Sequence, residues 1–233
     1  YHLSTTMCPK HRMAVLDQIR DRLRENRRCI LISTSLVEAG VDLDFSSVYR
    51  QLAGMDSMIQ AAGRCNREGK KEAEQSKVYI FDLKEQKDAL GQRQQIDISR
   101  SLLTENRDIS SLDTIEEYFR ELYYVRGEGL DKKQILKKFE KRSYNFASAA
   151  ENFKLIENSE KTVFVPFDEG AKELLRQIEL QGFSKDRMRQ AGKYCIGIFE
   201  TEWNTLYGLG KIQQISEDIP NLYKLTDAEV YAE

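Results

Sequence analysis

Val48-Tyr49-Arg50-Gln51-Leu52, then Met55-Asp56-Ser57-Met58-Ile59-Gln60-Ala61-Ala62-Gly63-Arg64-Cys65-Asn66-Arg67, then Lys77-Val78-Tyr79-Ile80-Phe81-Asp82-Leu83, reads as strand, helix, strand. Strands that alternate with helices pair in parallel, because the crossover must return the chain to the same end of the sheet. The polar run of residues 69–74 is a solvated turn before the last of these strands. Upstream, Arg28-Cys29-Ile30-Leu31-Ile32-Ser33 is a continuous apolar run of the kind buried on both faces of a parallel sheet. It leads into Thr34-Ser35-Leu36-Val37-Glu38-Ala39-Gly40-Val41-Asp42. Small hydroxyl residues and a glycine at the carboxyl end of a strand mark where open α/β sheets place ligands.

The helix between the strands carries the chemistry. A spacing of i, i+3, i+4, i+7 predicts Gln60, Gly63, Arg64 and Arg67 on one helical face. Paired guanidinium groups suit phosphate oxygens, because each planar fork donates two parallel hydrogen bonds and stays charged. Gly63 leaves the backbone bare for a close approach. A basic stripe on a solvated helix satisfies the same eight residues, so the motif does not decide by itself. Among the upstream residues, Thr34 and Ser35 can offer hydroxyls and N–H groups to a phosphodiester, and Asp42 can accept from a ribose hydroxyl.

Residues 33–42 and 55–67 together resemble motifs V and VI of superfamily-two helicases. The opening His2-Leu3-Ser4-Thr5-Thr6-Met7-Cys8-Pro9-Lys10-His11-Arg12 and the ending Gly-Arg-Cys-Asn-Arg narrow the resemblance to the CRISPR-associated helicase–nuclease of type I systems. The motif resemblance covers residues 2–69. It implies two RecA-like lobes clasping ATP, with this chain supplying part of the second. On that reading Arg67 is the arginine finger and Arg64 its partner at the γ-phosphate. Gln60 lies near the same phosphate, and Gly40 and Asp42 face the nucleotide and its ribose. Thr34 is the first nucleic-acid contact expected, with Ser4, Thr5 and Arg12 behind it. An arginine supplied across an interface contributes about 10³–10⁵ in rate to phosphoryl transfer.

The sequence contains no Gly-x-x-x-x-Gly-Lys-Ser/Thr loop, since Gly208-Leu209-Gly210-Lys211 is followed by Ile212. It also lacks an acidic box for Mg²⁺, and His2 and His11 have no adjacent aspartate. The expectation is therefore a fragment that begins within the second lobe. ATP and Mg²⁺ would be held mainly by an absent first lobe, no metal site would lie in this chain, and the fragment would be inactive as an ATPase alone.

The chain has 233 residues, 40% of them hydrophobic, which suffices for one large or two small domains. Lys and Arg number 36 against 38 Asp and Glu, a net charge of −2. That balance argues against a sequence-reading DNA module but is compatible with a narrow cationic track. Cys8, Cys29, Cys65 and Cys195 form no C-x-x-C pair, so reduced thiols in a cytoplasmic protein are the simple account. No apolar run approaches membrane-spanning length.

Further along, Pro9 at a first turn, with Met13, Leu16, Ile19 and Leu23, predicts a helix to about Asn26. A charged connection over 84–91 gives way to a helical region from about Gln92 to Phe153. Its stripes are Ile115, Tyr118, Phe119, Leu122 and Tyr123, then Ile135, Leu136 and Phe139, with Asp131 as a cap between them. Aromatics at that spacing read as core. In the tail, 161–167, 194–199 and 221–225 read as strands and Glu169 to Gln181 as a helix closed by Gly182. Trp203 is a core anchor or a stacking residue.

The expected fold is α/β: a partial RecA-like parallel sheet with flanking helices, then a helical linker and a small α+β accessory domain. The expected segments are 1–90 for the lobe, 91–144 for the linker and 145–233 for the accessory domain. By resemblance the last helps enclose single-stranded DNA. The function implied is the C-terminal part of an ATP-dependent single-stranded DNA translocase in CRISPR interference, partnered by the RNA-guided surveillance complex. Another superfamily-two DNA or RNA helicase, or a non-catalytic module that docks on a target-recognition complex, remains open.

Overall fold

Two compact units divide the computed structural model, one made of Tyr1–Leu36 with Asn158–Glu233 and the other of Val37–Glu157. The structure describes residues 1–83, 91–105, 107–131, 133–136, 146–153, 161–217, 219–227 and 229–232. The architecture is mixed α/β, with small parallel and mixed sheets between helices.

In the second unit, β3 (Ser47–Gln51) and β4 (Lys77–Phe81) pair in parallel, register Tyr49 to Tyr79, with α2 (Met55–Ala62) between them. The strand–helix–strand reading therefore holds. Helices α3 (Arg93–Thr104) and α4 (Leu112–Arg126) follow, and α5 (Phe146–Asn152) closes the described part of this unit. The core gathers Leu52, Met55 and Met58 with Ile96, Leu102, Tyr118 and Leu122, so α3 and α4 close over β3 and α2. Of the predicted stripe on α4, Tyr118 and Leu122 are buried, Ile115 and Phe119 pack at the core's edge, and Tyr123 stays exposed. Ser111 caps α4 by accepting from Thr114 N–H. Asp131 ends a short 3₁₀ turn (Gly127–Asp131) and accepts from the N–H groups of Ile135 (2.6 Å) and Leu136 (3.0 Å), four and five residues on, where an N-cap would accept from two or three residues on. Phe139 and most of the 84–91 connection lie outside the described residues.

The turn from β3 into α2 depends on Gly54. A Cβ there would sit 2.6 Å from Asp56 Oδ1 and 2.8 Å from Tyr118 Oη, and these two groups share a 3.0 Å hydrogen bond. Gly54→Ala is therefore expected to destabilise the chain by about 1–3 kcal/mol. Urea unfolding reads this, and an unchanged midpoint would mean that Asp56 swings clear at no cost.

In the first unit, β1 (His2–Leu3) and β2 (Ile32–Ser33) pair in parallel around α1 (Pro9–Arg24). Proline at the first turn and the buried Leu16 and Ile19 bear out the helix read from sequence, whereas Met13 is exposed. The strand expected over Arg28–Ser33 shrinks to two residues, and Ile30 and Ile32 are 60% and 71% exposed instead of buried on both faces. An apolar run states what a strand is able to bury. Among the described residues only β1 pairs with it, and the run is longer than its partner.

The same unit holds a four-stranded mixed sheet ordered β6-β5-β8-β7. Its strands are β5 (Lys161–Phe164), β6 (Cys195–Ile198), β7 (Ile212–Gln214) and β8 (Leu222–Leu225). Strand β5 runs antiparallel to β6 and parallel to β8. Helix α6 (Glu169–Gln181) matches its sequence reading at both ends, with Asp168 accepting from Ala171 N–H and Gly182 at φ 73°. Helices α7 (Lys185–Ala191), α8 (Glu200–Gly208) and α9 (Glu229–Ala232) complete the unit's described elements. Trp203 is half-buried against the sheet core and stacks on Tyr207 at 4.8 Å, the core role with one ring face shared.

Cys8, fully buried, joins the core formed by Phe164, Ala171, Leu174, Ile178 and Tyr194. Its N–H donates to Tyr231 Oη at 2.8 Å, and His11 stacks on Phe167 at 4.7 Å. The start of α1 is thus built into the α+β core. Burial, with the Cys8 thiol beside it, pushes the Cys195 thiol up to about 12. The thiolate attacks alkylating reagents, so at pH 8 only ~10⁻⁴ of Cys195 is reactive. Peptide mapping after iodoacetamide should find Cys29 modified well before Cys195. Equal labelling would place Cys195 at the surface.

Candidate functional site

The helix that carries the arginine motif ends earlier than its spacing predicts. Helix α2 stops at Ala62, Gly63 forms its C-terminal cap, and Asn66 takes φ 49°, the left-handed region asparagine tolerates. The next residues pair with the loop before β3. Phe45 N–H donates to Arg64 O (2.9 Å), Asn66 N–H to Phe45 O (2.8 Å), and Arg67 N–H to Asp44 Oδ1 (2.8 Å). The expected single helical face of Gln60, Gly63, Arg64 and Arg67 is therefore corrected: Gln60 lies on the helix, and both arginines lie beyond it. Glycine and asparagine are helix stop signals, and their stop outweighs the periodic pattern.

The two arginines still converge on one loop. Arg64 Nη2 donates to the Glu38 carbonyl at 2.7 Å, and its Nε is buried without a partner. Arg67 is exposed, and its Nε lies 3.0 Å from Asp42 Oδ1. Gly40, between the two contact points, has φ 72° and open space around it, so the loop turns there without steric cost. Gln60 is exposed one turn before the cap.

Glu38, which no motif reading singled out, fixes this loop. Its side chain is 11% exposed, with Oε1 2.9 Å from Arg50 Nη2 and Oε2 accepting from Ser57 Oγ at 2.8 Å. Arg50 also donates to Ser57 Oγ at 2.8 Å. One carboxylate thus ties the loop to β3 and to α2, while the same residue's carbonyl holds Arg64. A charged residue amid apolar neighbours in a ligand loop is the signal that sequence offered, because a buried charge needs a partner.

The other candidates belong to the first unit. Thr34 is exposed; its N–H donates to Leu3 O (3.2 Å) and its carbonyl accepts from Ser33 Oγ (2.9 Å), so its own side chain faces solvent. Thr5 is exposed as well. Ser4 is 7% exposed, and its hydroxyl pairs with Thr6 Oγ1 at 2.6 Å. Arg12 is half-buried.

The group that the resemblance implies is a triphosphate, and the second-unit residues fit one. Arg64 offers in its Nε a donor that nothing among the described residues satisfies. Arg67 and Asp42 are 44% and 80% exposed, and exposed pairs contribute only about 0–1 kcal/mol, so a phosphate displaces this one readily. Among the described residues no cluster of three His, Cys, Asp or Glu is placed to hold a metal ion. No helix among them is long and apolar enough to cross a membrane.

Comparison with known proteins gives a consistent picture. Residues 1–70 match the family described as CRISPR-associated nuclease/helicase Cas3, C-terminal. A CRISPR-associated nuclease/helicase Cas3 of Haloferax volcanii is 60% identical over 38 residues, 16% of this chain and 4% of that protein. One of Methanothermobacter thermautotrophicus is 28% identical over 130 residues, 52% of this chain and 16% of that protein. Among solved structures, T. fusca Cas3 with ATP has a TM-score of 0.57 at 13% identity, covering 97% of this chain and 32% of that one. A chain of a CRISPR RNA-guided surveillance complex, pre-nicking, has a TM-score of 0.54 at 13% identity, covering 97% and 34%. The chain therefore spans a small part of the curated relatives and about a third of the solved chains; at these identities the structural likeness shows the fold.

Proposed function

We propose, for a chain whose first seventy residues belong with the C-terminal region of the Cas3 nuclease/helicases, that it supplies the arginine side of an ATP-driven single-stranded DNA translocase acting in CRISPR interference. The observation that carries this reading is the convergence of Arg64 and Arg67 on the Glu38–Asp42 loop, with one guanidinium nitrogen unsatisfied and the other arginine held by an easily exchanged carboxylate.

ATP when bound supplies the phosphoryl group, with Mg²⁺ neutralising part of its charge, and both would be gripped mainly by the companion lobe. This chain's residues do the rest. Arg67, released from Asp42, would hold the terminal phosphate, with Arg64 donating from its fixed position and Gln60 contacting the same group. Freed of Arg67, Asp42 accepts from the ribose, and Gly40 lets the backbone come close to the nucleotide. Both arginines stay protonated throughout, so they stabilise charge without moving a proton.

In the first unit the exposed Thr34 contacts the tracking strand on this reading, with Thr5 and Arg12 as further contacts; Ser4 is the weakest of the four because its hydroxyl is already engaged. The three-part division at 1–90, 91–144 and 145–233 is a division of roles: motor lobe, linker and accessory strand-enclosing domain. The RNA-guided surveillance complex is the partner that delivers the DNA, in the cytoplasm. The test is direct. This polypeptide alone should show no ATP hydrolysis with or without single-stranded DNA, and joining it to the companion lobe should produce DNA-stimulated turnover. Turnover by the polypeptide alone would overturn the division of the ATP site.

A further inference from the structure

A second cationic site lies wholly within the first unit. Lys10, Arg189, Gln190, Lys193 and Tyr194 line a pocket of about 310 Å³, the small end of the range for ligand sites. Three of these five side chains are cations, in a chain whose net charge is −2. The site is built from both ends of the sequence: Lys10 N–H donates to the Lys193 carbonyl at 2.9 Å, locking the start of α1 to the turn after α7. Lys10 Nζ donates to Tyr194 Oη at 2.9 Å and lies 3.5 Å from Asp168. Tyr194 itself is 6% exposed, so its hydroxyl is a fixed polar group at the pocket wall. Gly170 keeps that position open, since a Cβ there would lie 3.1 Å from Tyr194 Oη.

We propose that this pocket binds one phosphate group. Lys10 is held as an ammonium, its charge favoured by the Tyr194 hydroxyl first and Asp168 second. A hydroxyl that accepts from Lys10 has its own proton free to donate to an anion. Arg189 adds a planar fork; its pairing with Asp186 is at 3.7 Å with both side chains over 80% exposed, which water and a phosphate replace at little cost. Asp168 is the only carboxylate against the lining cations besides Asp186, among the described residues. Its Oδ1 is occupied by Ala171 N–H, so its charge is partly spent on the cap of α6. Three cations against these two engaged carboxylates leave the pocket attractive to a phosphate dianion or to a phosphodiester.

The phosphate has two sources, a nucleic-acid strand or a free phosphate ion, and the chain as it stands distinguishes them. Fluorescence anisotropy with a labelled oligothymidylate and calorimetry with inorganic phosphate are run on wild type and on Arg189→Glu/Lys193→Glu. A control pair with the same charge change, Arg176→Glu/Lys211→Glu, lies off the pocket. The pocket variant should lose affinity about tenfold or more for whichever probe binds, and for the strand its log–log salt slope should fall by roughly 0.7. The control should change affinity less than about twofold. Oligothymidylate binding that the pocket variant loses, without saturable binding of inorganic phosphate, assigns the strand; saturable phosphate binding without strand binding assigns the free ion. No binding of either probe by wild type, or equal losses in pocket and control variants, overturns the site. Should the glutamate pair fail to fold, Tyr194→Phe keeps the buried ring and removes only the hydroxyl, and affinity should still drop severalfold. None of these readouts involves ATP, so the site stands or falls apart from the arginine reading.

Discussion

Replacing Arg67 by alanine in the full-length protein is expected to lower ATP turnover by about 10³–10⁵-fold while single-stranded DNA binding persists. Arg67 is exposed and tied to the fold through its backbone, which donates to Asp44 Oδ1, and among the described residues its side chain pairs with Asp42 alone. Truncating it therefore removes charge from the cleft and costs the fold little, within the 0–1 kcal/mol of an exposed pair. A loss of turnover with an unchanged unfolding midpoint separates a catalytic role from a structural one. Turnover that survives Arg67→Ala would remove it as the finger.

The second large effect is on stability. Glu38→Ala should destabilise the chain by about 3 kcal/mol, because Arg50, 24% exposed, and Ser57 lose their shared carboxylate and Arg50 is left as an uncompensated, largely buried charge. Arg50 Nε already lacks a partner, and the bond from its Nη2 to the neutral Ser57 hydroxyl would remain without compensating the charge. Glu38→Gln keeps the shape and one acceptor and should recover part of the loss. Denaturant unfolding of the two variants reads this directly. A loss under about 1 kcal/mol for the alanine variant would mean that water reaches the pair and it behaves as a surface bridge.

Local signals were legible where one residue sufficed to state them. Pro9 opens α1, Gly182 closes α6, and the strand–helix–strand run around α2 gives the parallel pair β3–β4. Non-local pairing was not legible. Strand β5 lies between β6 and β8, and nothing in a four-residue strand says which neighbours it takes or in which direction. The short elements α7, α8 and β7 escaped notice because a helix of two turns carries too few apolar positions to stand out from a loop.

The candidate site was legible in its residues and misread in its geometry. Arg64 and Arg67 were found by a helical spacing that the chain does not follow, since Gly63 and Asn66 turn it out of the helix. They meet at the Glu38–Asp42 loop nonetheless, because the backbone of 64–67 pairs with Asp44 and Phe45. Glu38 was invisible for the opposite reason: its importance lies in partners at Arg50 and Ser57, and sequence spacing encodes neither contact.

The most direct measurement is a structure of the full-length protein with a non-hydrolysable ATP analogue bound. The Arg67 guanidinium should have exchanged Asp42 for a terminal phosphate oxygen, with Arg64 Nε donating to the same phosphate. Arg67 still seated on Asp42, with Arg64 Nε unsatisfied beside a bound triphosphate, would contradict the account.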